Sequence, residues 1–88
     1  MKIIKVIYND ECKYIVDIIE NINYKILKDF YNIDDYKQRK KALPIMTRHG
    51  TNNVPLIVFA DENLDEYAAI WSEENPNWEE KIYKIINR

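Results

Sequence analysis

The chain predicts an α/β fold in the order βαβαββα, a four-stranded mixed sheet with helices on both faces, as one domain over residues 1–88. Three observations lead there. Residues 3–8 are apolar apart from Lys5 and residues 54–60 are apolar throughout, which suits strands buried inside a sheet covered on both sides. The first run passes directly into a segment whose apolar residues recur at helical spacing. The second is followed by a tight turn and another strand-like run, the pattern of an antiparallel hairpin.

The elements follow in order. After the first strand, Asn9, Asp10 and Glu11 make the turn, and a helix over about residues 11–21 aligns Cys12, Ile15, Val16, Ile19 and Ile22 on one stripe, with Asn9 or Asp10 as its cap. Asn23 breaks that pattern. Residues 24–30 then read as a second strand with Tyr24, Ile26, Lys28 and Phe30 on one face, and their mixed polarity suits a sheet edge. This β-α-β unit requires a parallel pair joined by a right-handed crossover. Asp34 or Asp35 caps a basic helix over residues 36–43, which carries Lys37, Arg39, Lys40 and Lys41. Pro44 is expected to interrupt it, with residues 44–49 forming another short helix that Gly50 ends in a left-handed conformation. Residues 54–60 give the third strand, Asp61-Glu62-Asn63 the turn and residues 64–70 the fourth strand. Asn75-Pro76 signals the start of the last helix, which buries Trp78, Ile82, Ile85 and Ile86.

Composition excludes several function classes. The 88 residues suffice for one domain with a modest core, and a hydrophobic share of 47% is above that of a disordered chain. The apolar runs are too short to cross a membrane as a helix, and no secretory leader pattern opens the chain, so the expected location is the cytoplasm and no membrane partner is expected. The single cysteine allows no internal disulfide, which fits a reducing compartment. A single glycine excludes a glycine-rich phosphate loop. With a net charge of −2, the basic residues 37–41 read as a solvated helix face, and nucleic acid is not expected as a partner.

The residues with chemistry are Cys12, where strand turns into helix, and Val54-Pro55, which leads into the third strand. Free N–H groups and the dipole at a helix start, together with Lys13, favour a thiolate at Cys12, whereas Asp10 and Glu11 oppose it. With the element order, these features resemble the thioredoxin fold, and most closely its glutaredoxin branch, over essentially the whole chain. Glutaredoxins open their first helix with Cys-Pro-Tyr-Cys; here the segment is Cys12-Lys13-Tyr14-Ile15, with the family tyrosine matched and Ile15 in place of the second cysteine. Their glycine, short spacer and Thr-Val-Pro correspond to Gly50 and Asn53-Val54-Pro55. The lysine that many of them carry three residues before the cysteine is Asn9 here.

The resemblance implies a cis Val54-Pro55 bond beside Cys12, with Val54 main-chain groups open to an extended peptide. It implies a monothiol glutathionyl-transfer route through Cys12, with glutathione as co-substrate and no permanently bound cofactor. Tyr14, Asn53, Val54, Pro55, Ser72 and Glu73 are the implied glutathione- or substrate-binding residues, and Arg39, Lys40 or Lys41 is a candidate for the glycine carboxylate. The family's Gly-Gly before the last helix is replaced by Ala68-Ala69. His49 is a candidate proton donor to a leaving thiolate. No metal site is expected, because one Cys and one His are too few ligands and the cluster-binding Cys-Gly-Phe-Ser is absent. The expected partner is glutathione or a thiol-containing protein. The competing reading is a non-catalytic binding module that uses the Pro55 groove with Tyr14 and Trp71 as its recognition surface.

Overall fold

The computed structural model describes residues 2–22, 25–63, 65–71 and 76–87, the side chains of Tyr67 and Trp71 excepted. Strand β1 (Ile3–Tyr8) lies inside a four-stranded sheet of order β2-β1-β3-β4. It runs parallel to β2 (Leu27–Asn32), with Ile3 opposite Leu27 and Tyr8 opposite Asn32. It runs antiparallel to β3 (Leu56–Ala60), with Ile7 opposite Leu56 and Ile3 opposite Ala60. Strand β4 (Glu66–Trp71) closes the hairpin, with an irregularity at Phe59 and Ala60. The fold class is the expected one, a four-stranded mixed α/β sheet with helices on both faces.

Apolar residues on both sides of the sheet explain the two helical layers. On one face Ile4, Val6, Tyr8, Ile57, Phe59 and Ile70 cluster with Cys12, Ile15, Ile19, Ile82 and Ile85, which come from the β1–α1 turn, α1 (Tyr14–Glu20) and α3 (Trp78–Ile86). On the other, Ile7, Leu56 and Val58 meet Ala42, Ile45 and Met46 of α2 (Tyr36–Arg48). Trp78 and Ile86 pack partly buried against the first cluster, as the periodicity requires.

Several boundaries differ from expectation. The first helix does not start at residue 11: Asp10–Cys12 form a 3-10 turn, and α1 begins after it. The cause is Asn9, whose side chain takes the Cys12 N–H three residues on and tightens the turn. Strand β2 is shifted along the chain from residues 24–30, because the parallel register with β1 runs through to Asn32. Tyr24 lies outside the described residues; Ile26 is buried, and Phe30 packs against the first cluster. Lys28 instead donates to the Ile22 and Glu20 carbonyls, which closes the C-terminal end of α1. Strand β3 starts at Leu56 rather than at residue 54, and β4 spans Glu66–Trp71 rather than 64–70; Leu64 lies outside the described residues. Asn75 also lies outside them, and α3 starts at Trp78.

Pro44 does not interrupt α2, which is one helix from Tyr36 to Arg48. Proline removes one hydrogen bond, but Ala42 before it and Ile45 and Met46 after it are buried on the same cluster. Tertiary packing therefore carries the helix across. It ends as expected at Gly50, φ +63°, where Gly50 N–H bonds to Thr47 O and Thr51 N–H to Met46 O. That pair of bonds is the Schellman arrangement, which needs the left-handed residue.

Candidate thiol site at the end of the first strand

Cys12 sits where β1 gives way to α1, and Asn9 builds the turn around it. Asn9 Oδ1 accepts from the Cys12 N–H at 3.0 Å and from the Cys12 Sγ–H at 3.1 Å, while the Asn9 N–H donates to Sγ at 3.2 Å. Cys12 is 7% exposed, so the thiol is lodged beneath this turn and not displayed on the surface. Its own amide, expected to help bind a thiolate, is engaged by Asn9.

A second turn braces the first. Asp34 Oδ2 accepts from the Asp10 N–H at 2.8 Å, the Asn32 amide donates to Asp10 Oδ1 at 2.9 Å, and Asn32 Oδ1 accepts from the Asp34 N–H at 2.9 Å. The parallel pairing of Tyr8 with Asn32 brings these turns together at one end of the sheet. The surroundings of the thiol are therefore mainly acidic, with Asp10, Glu11 and Asp34 against Lys13. Burial pushes the Tyr8 phenol up, and Asp10, Cys12 and Glu20 push it further, so Tyr8 stays neutral there.

Val54 and Pro55 come to this same end. Ile7 pairs with Leu56, so residues 53–55 enter β3 beside the point where residues 9–12 leave β1. The Val54-Pro55 peptide bond is cis. Pro55 is fully buried, and Val54 packs partly buried against both apolar clusters, including the one that holds Cys12. Among the described residues, neither main-chain group of Val54 is in a backbone hydrogen bond. Asn53 is exposed, its N–H bonded to Thr51 Oγ1 at 3.0 Å. Tyr14 is 55% exposed.

Other expected site residues lie elsewhere. Ser72 and Glu73 lie outside the described residues, as does the Trp71 side chain. Arg39 Nε donates to the Ile33 carbonyl at 2.6 Å, and Lys40 Nζ stands 4.6 Å from the centre of the Tyr36 ring, so both groups already have partners, whereas Lys41 is exposed. His49 does not reach the thiol. Its Nε2 lies 3.1 Å from Glu66 Oε1, and Glu66 pairs with Ala60 at the end of β3 remote from Pro55. The five residues of β3, about 13 Å of strand, separate the two ends. Local spacing gave no sign of Glu66 or of Asn9's grip on sulfur: one is a long-range contact, the other depends on a rotamer.

Among the described residues, no three His, Cys, Asp or Glu side chains gather as a metal-holding set, and no helix is long and apolar enough to cross a membrane. No protein-family model matches the chain, and no curated protein matches it. Among solved structures, one described as "DsbH Oxidoreductase" is similar at 13% identity and a TM-score of 0.48, over 80% of this chain and 60% of that one. This chain thus spans about three fifths of that protein's length.

Proposed function

We propose that the protein is a thioredoxin-like thiol–disulfide exchange protein that works through one cysteine, Cys12, on glutathionylated thiols. The observation that carries this reading is the pairing of Ile7 with Leu56, which brings the Cys12 turn and the Val54-Pro55 segment to one end of the sheet. An extended glutathionyl peptide adds to Val54 as a short strand, its sulfur directed to Cys12. The Cys12 thiolate attacks the glutathione sulfur of the mixed disulfide, an S–S bond forms to Cys12, and the substrate leaves as a thiolate that takes a proton from water. A free glutathione thiolate then attacks the glutathione sulfur held on Cys12, which yields oxidised glutathione and returns Cys12. With Ile15 in place of a second cysteine, glutathione must resolve the intermediate, and a reducing cytoplasm supplies it. Tyr14 and Asn53 flank the bound peptide, Lys41 serves its glycine carboxylate, and Ser72 and Glu73 take the γ-glutamyl end.

The test is turnover of a glutathionylated peptide with glutathione, by wild type and Cys12→Ser. Turnover by wild type alone is expected; equal background rates overturn the proposal. A second reading, a non-catalytic binding module using the Val54-Pro55 groove, is favoured by the burial of Cys12 at 7% exposure. Absence of any mixed disulfide on Cys12 after incubation with oxidised glutathione, read by mass spectrometry, would support it.

A further inference from the structure

We infer that Asn9 is the positioning residue of this site: it holds the Cys12 thiol proton, and so sets the pH at which Cys12 becomes a nucleophile. The inference rests on the proposed thiol chemistry for its purpose. Oδ1 meets both the amide and the thiol of Cys12, at 3.0 and 3.1 Å, so one atom fixes the turn and takes the S–H bond. The Asn9 N–H, 3.2 Å from sulfur, donates to it in either protonation state. The S–H···Oδ1 bond exists only while the thiol keeps its proton, so ionisation must break it. A side-chain cap alone would need the first contact and not the second.

The substitutions at Asn9 leave the other charged residues near this turn unchanged in identity. They are Asp10, Glu11 and Lys13 on the turn itself, Tyr8 on β1, whose phenol feels Cys12, Asp10 and Glu20 of α1, and Asp34, which binds the Asp10 N–H. From β3 and α3 the residues in the Cys12 cluster are apolar: Ile57, Phe59, Ile82 and Ile85.

The test is the rate of Cys12 alkylation by iodoacetamide against pH, on the full chain, with thermal unfolding of each variant alongside. The thiolate displaces iodide and the thiol proton goes to water, so the profile's midpoint reports how firmly the proton is held, and its high-pH plateau reports access. Asn9→Asp keeps a good cap but holds the proton with a carboxylate; its midpoint is expected to rise, slowing alkylation at pH 7 about threefold or more. Asn9→Ala removes the acceptor; its midpoint is expected to fall, with alkylation at pH 7 faster by about threefold or more. Should Asn9→Ala fail to fold, Asn9→Ser keeps a cap, but its shorter side chain withdraws the acceptor from sulfur, and its midpoint is expected to fall. A midpoint for Asn9→Ala, or for Asn9→Ser where Ala does not fold, that coincides with wild type overturns the inference, as do midpoints that move the same way in all variants, because an added carboxylate raises the midpoint by charge alone. Alkylation needs no glutathione, so loss of the proposed turnover and loss of this pH response are separate results.

Discussion

Arg48 and Glu66 form a two-bonded ion pair, Nε to Oε1 at 2.9 Å and Nη2 to Oε2 at 2.8 Å, with His49 Nε2 on the same Oε1. The Glu66 side chain is only 11% exposed, so the pair ties the last turn of α2 to the first residue of β4 from a sheltered position. Arg48's hydrogen bonds hold the Glu66 carboxyl below its ordinary range, burial opposes them, and the charges of Arg48 and His49 add to the lowering. A carboxyl depressed on folding contributes stability that is complete above its unfolded range and is lost as pH falls through its folded value. Glu66→Gln is therefore expected to cost about 1 kcal/mol at neutral pH, allowing for solvent screening, and less as the solution is acidified below the ordinary carboxylate range. Urea unfolding at neutral and acid pH measures this; a cost that grows toward acid pH would contradict the assignment.

Gly50 has φ +63°, and a Cβ built on it meets nothing within 4 Å. Gly50→Ala should thus destabilise through backbone conformation alone, by about 1–2 kcal/mol. Asn at this position tolerates the left-handed region better and is expected to cost less than Ala. Thermal unfolding of the two variants distinguishes a backbone effect from a steric one, because a steric effect would order them by size.

Pro44 shows where local reading gave way. Its missing N–H argues for a break, yet α2 continues because buried residues on both sides of it face one cluster, a long-range cause that local propensity does not contain. The ring itself is exposed. Pro44→Ala is accordingly expected to stabilise the protein by about 1–3 kcal/mol by restoring a helical bond without loss of packing. Denaturant unfolding checks it, and a destabilised variant would mean that the ring packs after all.

The element order, the two-sided burial of the central strands and the left-handed turn at Gly50 were legible because each is written in local periodicity or in one residue's allowed conformations. That residues 9–12 and 53–55 meet at one end of the sheet follows from the element order, since the antiparallel pairing of β1 with β3 sets Ile7 opposite Leu56. What stayed hidden was side-chain partnership across distance. Asn9 caps the turn as its residue type predicts, but its second contact, to the Cys12 sulfur, depends on a rotamer, and His49 joins Glu66 across the sheet and does not reach Cys12. Strand β2 slipped along the chain because an edge strand of mixed polarity leaves its register to its partner.

Tyr14 offers a test of substrate contact that is separate from stability. At 55% exposed, two residues past the thiol, it makes little contribution to the core, and substitution at such a position usually changes stability by less than about 0.5 kcal/mol. An aromatic face beside a bound peptide, by contrast, contributes about 1 kcal/mol through stacking and area, or roughly fivefold in affinity. Tyr14→Ala is therefore expected to raise KM for a glutathionylated peptide about fivefold while kcat and the unfolding temperature hold nearly constant. Steady-state kinetics with a thermal scan separates the outcomes. An unchanged KM would remove Tyr14 from the binding surface, whereas a fall in kcat alone would mean that it shapes the Cys12 turn and does not touch the substrate.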